Sequence, residues 1–302
     1  MTEAARAPAA VPATDAVPRG QPVVDRLVAL LDLERIEENI FRGVSPPESS
    51  VRVFGGQVAG QALVAAGRTV PPERGVHSLH AYFIRPGDPR IPIVYEVDRI
   101  RDGRSFTTRR AVAIQRGKAL FALSASFQLP EEGLDHADEM PEVPPPEQLE
   151  DLASWVRRAG DAQTAIARLP RPFDLRYVTP PVWAAADEQA RPEPRNQLWM
   201  RADGALPADP LVHVCVLAYA SDLTLLGSVA ARHGRALEAA LAASLDHAMW
   251  FHRPFRADEW VLYDCTSPSA SGGRGLAIGR FFSRDGQLIA TVVQEGLVRV
   301  RD

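Results

Sequence analysis

Apolar residues in the first half of the chain recur with two periods. Helical spacing of Val24, Leu27 and Leu31 predicts an amphipathic helix over about 23–33. Residues 55–69 are small and apolar nearly all round, which is typical of a helix enclosed by other elements. Strand-like runs lie at about 36–42, 76–84, 91–100, 104–115 and 118–128. The first half therefore predicts an enclosed helix followed by four strands.

The second half repeats this order. Runs at 173–178 and 197–201 predict strands, and Asp209 with Pro210 marks a helix start that runs to about residue 219. Strand-like runs follow at about 244–252, 259–265, 275–283 and 287–299. One helix followed by four strands thus occurs twice.

Short motifs support a duplication. The segment "FIRP" at 83–86 matches "FHRP" at 251–254 with an offset of 168, and Gly117 matches Gly286 with an offset of 169. Coincidence between two β-rich halves is the alternative. A long helix wrapped by an antiparallel sheet is the hotdog arrangement, so we expect an α+β fold of two tandem hotdogs.

Proline marks the connections, because it is excluded from helix interiors and central strands. Of 26 prolines, 4 fall in 1–22, 5 in 130–146 and 8 in 170–210. This distribution predicts a disordered tail at 1–22, a first hotdog at 23–130, a linker at 131–170 and a second hotdog at 171–302.

Composition excludes several classes. With 302 residues, 46% hydrophobic and 24% charged, the chain can bury a sizeable core. The net charge of −4 argues against a nucleic-acid partner, and no apolar run is long enough to span a membrane. Two cysteines are too few for a disulfide framework, which favours a reducing, cytoplasmic location.

Three polar residues stand where apolar ones belong. Asp222 continues the core-facing stripe of the second helix, unless it caps the stretch that follows. Gln294 is the only strongly polar member of one face of the last strand, where its counterpart in the first half is Ala125. Ser244 opens a strand at the position equivalent to Val76. Each has a structural alternative, since a buried amide or hydroxyl can simply satisfy a backbone group.

The usual catalytic motifs are absent from the sequence. It contains no G-x-S-x-G elbow, no Walker loop and no G-x-G-x-x-G after a strand. His77 and His80 point to opposite faces of a predicted strand, and Asp246, His247 and His252 have no complementary ligand cluster. We therefore expect neither a metal nor a cofactor.

Four segments resemble the type II acyl-CoA thioesterases, which are double hotdog proteins. They are "VFGGQVAGQAL" at 53–63, "YASDLTLL" at 219–226, "SLDHAMWFHRPF" at 244–255 and "VVQEGLVR" at 292–299. The resemblance covers about residues 24–300. It implies hydrolysis of fatty acyl-CoA to fatty acid and CoA by a water held by Asp222, Ser244 and Gln294. Serine stands at 244 where the family often has threonine.

The resemblance also implies a mechanism. Asp222 would act as general base, and backbone N–H groups near Gly55 and Gly56, or near Asp222, would meet the oxyanion. Arg253 or Arg274 would contact the CoA phosphates. An enoyl-CoA hydratase and a non-catalytic acyl-CoA-binding protein are the alternatives. Exposed sheet edges favour a homodimer or homotetramer.

Overall fold

The computed structural model describes residues 18–47, 49, 51–159, 171–184, 194–233 and 241–299. Most of the predicted tail, residues 1–17, lies outside this part of the chain. The first helix begins two residues earlier than predicted, because Pro22 fits the first helical turn, where its missing N–H would have no partner. The boundaries of the two halves and the linker stay predictions.

The described residues of the first half form two helices and six strands. Helix α1 (Gln21–Leu31) and helix α2 (Gly55–Gly67) flank a short hairpin of strands β1 (Glu34–Glu37) and β2 (Ile40–Gly43). The long strands β3 (Gly75–Phe83), β4 (Ile93–Asp102), β5 (Phe106–Gln115) and β6 (Lys118–Gln128) then follow. The single strand predicted over 36–42 is wrong, because the chain turns at Glu38 and Asn39. The backbone carbonyl of Asn39 accepts a hydrogen bond from Val97 N–H at 2.8 Å, which fixes that turn.

The segment between the halves is more ordered than a linker of solvated coil. It contains a 3-10 turn at Pro146–Gln148 and helix α3 (Leu152–Ala159). Leu152 and Trp155 on α3 pack against the core, and Asp151 bridges to Arg176 in the second half. Part of the connection therefore packs on the fold it joins.

The second half repeats the helix-and-sheet plan. Strands β7 (Phe173–Tyr177) and β8 (Arg195–Ala202) precede helices α4 (Pro210–Ser221) and α5 (Gly227–His233). Strands β9 (Leu241–Ser244), β10 (Asp246–Phe251), β11 (Val261–Ser271), β12 (Arg274–Ser283) and β13 (Leu288–Arg299) complete it. The strand predicted over 244–252 is broken at Leu245, whose N–H and carbonyl bond to Glu295 and Phe83.

The strands of the described residues join into one antiparallel sheet. Its order is β1-β2-β4-β5-β6-β3-β10-β13-β12-β11-β8-β7, and β9 pairs with β13. Strands β3 and β10 meet at the centre, where His80 pairs with Ala248, and their numbers differ by the offset of 168 found in the sequence. The two halves are therefore related by an approximate two-fold axis through this strand pair.

Helices α2 and α4 pack against each other in antiparallel directions and contact the sheet. Contact between them is close because α2 has glycine on the facing side: a Cβ at Gly60 would lie 3.2 Å from the carbonyl oxygen of Cys215, and one at Gly56 only 2.3 Å from that of Tyr219. A single apolar cluster includes buried residues of both halves. Each half is a helix wrapped by an antiparallel sheet, which confirms the tandem hotdog fold.

Among the described residues, no helix combines the length and apolar character needed to cross a membrane.

Candidate active site

Asp222 stands at the end of helix α4. The helix starts with Asp209, whose carboxylate accepts a hydrogen bond from Leu211 N–H, followed by Pro210 at the first helical position. It ends at Ser221, and Asp222 is the C-cap residue. Because α5 begins only at Gly227, Asp222 does not cap the following helix, and that alternative is wrong. Its side chain is free to reach the sheet.

Strand pairing places Ser244 and Gln294 on the same side of the sheet. Ser244 pairs with Gly296, two residues beyond Gln294 on β13. Side chains two residues apart in a strand share a face, and along β13 Ala290, Val292 and Gln294 are all buried on the helix side. The amide of Gln294 is thus held in the apolar core beside the end of α4.

The three predicted side chains contact one another directly. Gln294 Nε2 donates to Asp222 Oδ1 at 3.0 Å and to Ser244 Oγ at 2.6 Å. Ser244 Oγ donates to the same Asp222 oxygen at 3.3 Å. Both side-chain donors therefore bond to Oδ1, and neither bonds to Oδ2.

Oδ2 of Asp222 faces the start of α2 in the other half. A Cβ on Gly55 would lie 2.5 Å from this oxygen and 2.9 Å from the Phe83 ring, so only glycine lets the carboxylate approach. Gly56 N–H also hydrogen-bonds to the carboxylate. The candidate site is therefore built from both halves of the chain.

Burial raises the pKa of Asp222 above its usual value, because it disfavours the charged carboxylate. The neighbouring imidazole of His247 and the hydrogen bonds from Gln294, Ser244 and Gly56 act in the opposite direction. A carboxylate whose pKa is raised is a stronger base than one in water, and these donors favour its ionised form.

The two predicted phosphate-binding arginines lie in different places. Arg274 precedes Gly275, which pairs with Gly296 on β13, and Gly296 pairs with Ser244 on its other side. The guanidinium of Arg274 forms a salt bridge with Glu295. Arg253 follows the far end of β10 beside Leu288, which is eight residues along β13 from Gly296, the partner of Ser244, or roughly 26 Å at ~3.3 Å per residue. There it contacts the carbonyl of Leu288 and the carboxylate of Asp135, so the structure does not bring Arg253 to the site.

The histidines considered as metal ligands have other partners. His77 contacts Ser126 Oγ at 2.8 Å, whereas the ring of His80 packs edge-on against Trp250. His252 contacts Thr291 at 2.9 Å. None of the three lies with the Asp222 cluster.

Sequence reasoning missed the contribution of His247. Its Nδ1 lies 2.9 Å from Gln294 Oε1, and the side chain is only 1% exposed. The signal that identified Gln294 was present here as well. His247 and Met249 alternate inward on β10, so His247 is a polar residue on an apolar face.

The first half has no equivalent arrangement at the matching positions. Ala125 occupies the position of Gln294, and Val76 that of Ser244. The strand partner of Ala125 is the buried Arg109, which donates to Thr69 Oγ1 at 2.8 Å and pairs with Asp102. In the second half the partner of Gln294 is Ala277. The polar side chain is therefore on β5 in the first half, whereas in the second half it is on β13, which corresponds to β6.

Comparison with known proteins identifies the family. The profile described as Acyl-CoA thioesterase matches residues 177–297, and that described as Acyl-CoA thioesterase N-terminal domain matches residues 45–128. Human acyl-coenzyme A thioesterase 8 is 41% identical, over 94% of this chain and 93% of its own length. The chain belongs to the type II acyl-CoA thioesterase family.

Solved structures agree with this membership. The crystal structure of acyl-CoA thioesterase II TesB2 from Mycobacterium marinum is 46% identical with a TM-score of 0.76, covering 92% of this chain and 98% of that one. A protein of unknown function from Alicyclobacillus acidocaldarius, described as having a hot dog fold, has a TM-score of 0.72 at 22% identity over 90% and 97% of the two chains, which supports the fold. As a type II acyl-CoA thioesterase, the chain is an acyl-CoA thioester hydrolase.

Proposed function

We propose that this thioesterase hydrolyses fatty acyl-CoA to free fatty acid and CoA with a water activated by Asp222. The observation that carries the proposal is the asymmetry of the Asp222 carboxylate. Gln294 and Ser244 both hydrogen-bond Oδ1, so Oδ2, which has no side-chain donor and faces the backbone at the start of α2, is the oxygen that we assign to accept a proton from water. Gln294 and Ser244 also offer polar atoms beside it that can orient that water.

The reaction follows from this geometry. Ionised Asp222 removes a proton from water as the oxygen attacks the thioester carbonyl carbon, and a tetrahedral oxyanion forms. Collapse of this intermediate breaks the carbon–sulfur bond and expels CoA as a thiolate. The proton held on Asp222 passes to that sulfur, so that the carboxylate is regenerated. Water and acyl-CoA are converted into acid and CoA without a covalent enzyme intermediate.

The start of α2 supplies donors for the oxyanion. The first N–H groups of a helix have no acceptor within the helix, and they carry the positive end of its dipole. Gly56 N–H is directed to Asp222, so we assign the oxyanion to the other free N–H groups at this helix start, and first to that of Gly55. A negative charge developing there is stabilised where no side chain obstructs its approach.

The remaining substrate contacts follow from position. Arg274, at the Ser244 end of β12, is the arginine that we propose for the CoA phosphates. The fatty acyl chain would lie in the apolar layer between helix and sheet.

We also propose cytoplasmic action as a homodimer or homotetramer, joined through edge strands such as β1 and β7. Light scattering that gives the 32.9 kDa mass of one chain would contradict the assembly.

Replacing Asp222 with asparagine tests the mechanism. D222N keeps the shape of the side chain but removes the base, so we expect kcat for acyl-CoA hydrolysis to fall at least ~100-fold. The release of the CoA thiol measures this rate. In the unmodified enzyme kcat/KM should decrease as the pH falls through the raised pKa of Asp222, because only the ionised form accepts a proton. This acidic limb should be missing from D222N.

The exposed Asp98 on β4 provides the control. D98N also removes one carboxylate charge but lies on a different part of the sheet, and it should hydrolyse acyl-CoA at the unmodified rate. Near-normal turnover by a folded D222N variant would overturn the mechanism.

A further inference from the structure

We infer that His247 is a positioning residue that fixes the orientation of the Gln294 amide through a hydrogen bond from its Nδ1–H. The inference rests on the proposed function, since it concerns the group that holds Asp222 and Ser244. It assigns a role to a buried side chain that touches none of the reacting atoms.

The orientation of the Gln294 amide decides what it can do. A carboxamide has nearly the same shape when its oxygen and nitrogen are exchanged, so only its partners determine which way it points. With Nε2 toward Asp222, the amide donates to Oδ1 at 3.0 Å. In the exchanged orientation, two oxygens would face each other at that distance and the donor to Ser244 would be lost. A group behind the amide must therefore hold its oxygen.

His247 is that group. Its Nδ1 lies 2.9 Å from Gln294 Oε1, and an amide oxygen can only accept a hydrogen bond. Nδ1 must therefore carry a proton. A strand residue buried beneath α4 has little freedom to move, so the donor is held in place by the fold.

Ser221 contacts the other nitrogen of the His247 ring. Its Oγ lies 2.9 Å from His247 Nε2 and 2.9 Å from the carbonyl oxygen of Ala218. Burial lowers the pKa of His247 and favours the neutral ring, although the carboxylates of Asp222 and Asp246 oppose this. The single proton of the Ser221 hydroxyl goes to the Ala218 carbonyl, so the proton on Nδ1 is assigned from the Gln294 contact.

The result is a chain of hydrogen bonds with one direction. His247 Nδ1–H donates to Gln294, and Gln294 donates to Asp222 and Ser244, while Ser221 Oγ contacts the other ring nitrogen of His247. Ser221 directly precedes Asp222 in the chain, so both ends of this network are fixed by the end of α4. Each bond in such a chain polarises the next.

Two substitutions of His247 separate this role from simple packing. In H247N the asparagine Nδ2 takes the position of the imidazole Nδ1 and can donate to Gln294. In H247Q the longer amide reaches the Nε2 position near Ser221 but has no donor at the Nδ1 position. We expect H247Q to lower kcat at least ~10-fold with KM nearly unchanged, while H247N stays within ~3-fold of the unmodified enzyme.

A purely structural histidine gives a different result. Loss of packing would affect H247N at least as strongly as H247Q, because asparagine is the smaller side chain. Equal kcat values for the two folded variants, or unchanged kcat in H247Q, would overturn the proposal.

A measurement on the unmodified protein needs no variant to fold. Nitrogen-15 NMR distinguishes the two neutral imidazole tautomers, and we expect His247 to carry its proton on Nδ1. A neutral Nε2–H ring would overturn the proposal. The tautomer does not depend on turnover, so a result of Nδ1–H together with an active D222N would reject the Asp222 mechanism while leaving the His247 assignment standing.

Discussion

At the scale of single residues, the basicity of Asp222 is set by its neighbours. Burial raises the pKa of Asp222 and makes the carboxylate a better base, and the donors Gln294, Ser244 and Gly56 favour its ionised form. Neither effect alone would serve, because an isolated buried carboxyl would be neutral and a fully solvated one would be a weak base. The site combines the two by placing a helix end beside a strand that carries one amide.

Ser244 provides a test at this scale. S244A removes the hydroxyl that donates to Asp222 and accepts from Gln294, so we expect kcat to fall by ~10-fold or more. S244T keeps the hydroxyl and adds a methyl group that restricts its rotamers, so its kcat should equal or exceed that of the unmodified enzyme. Steady-state hydrolysis of one acyl-CoA by the three proteins is the measurement. Equal rates for S244A and S244T would show that the hydroxyl does not contribute.

The catalytic candidates could be found from the sequence because each breaks an apolar pattern. Gln294 interrupts an alternating strand, and the structure places it 1% exposed among apolar neighbours. His247 breaks the pattern of β10 in the same way, but as a metal ligand it lacked partners, and its contact with Gln294 depends on the pairing of β10 with β13. That pairing joins residues 47 positions apart, which periodicity cannot reveal.

At the scale of elements, the close approach of α2 and α4 brings Gly55 of one half to Asp222 of the other. Gly56 is the tightest point, because its missing side chain makes room for the carbonyl oxygen of Tyr219. A backbone oxygen at the end of a packed helix cannot move aside as a flexible side chain can. The glycines of α2 are therefore required for packing as well as for access to the carboxylate.

Substitution of Gly56 tests this packing. The Cβ of G56A would lie 2.3 Å from the Tyr219 carbonyl oxygen, so the two helices must separate, and we expect a loss of about 1–3 kcal/mol in the free energy of unfolding. G75A is the matched control, since a Cβ at Gly75 meets nothing within 4 Å. Urea unfolding of the two variants measures the difference. Equal stability would mean that the helices have room to adjust.

Periodicity predicted the long elements well and the short ones poorly. The strand predicted at 118–128 is β6, since its alternation matches one buried face. The hairpin of β1 and β2 was missed because its turn has no glycine or proline, and it is fixed by a long-range bond from Val97. Helix α3 was missed because it is short and follows a proline-rich segment. Short elements depend on tertiary contacts, which local sequence does not contain.

At the scale of the whole molecule, the two halves share one core and one sheet. Central strands β3 and β10 pair along their length, and the apolar cluster includes residues from both sides. Separating the halves would expose the α2–α4 contact and leave a long unpaired strand on each half. Neither half is expected to be stable by itself.

Urea unfolding tests whether the two halves form one cooperative unit. The five tryptophans are Trp155, Trp183, Trp199, Trp250 and Trp260, so fluorescence reports on the second half and the connection, whereas far-ultraviolet circular dichroism reports on both halves. We expect one cooperative transition with the same urea midpoint for both signals. A circular dichroism curve with two transitions, only one of them matched by fluorescence, would contradict a shared core.

The symmetric register of β3 and β10 has a consequence for how this chain evolved from a single hotdog. A strand that pairs with its own copy about a two-fold axis is self-complementary, so a single hotdog with this edge can form an isologous dimer. Identical subunits must carry identical sites. Once the two copies are fused in one chain, each can mutate alone, and this protein now has a glutamine on one side where it has an alanine on the other.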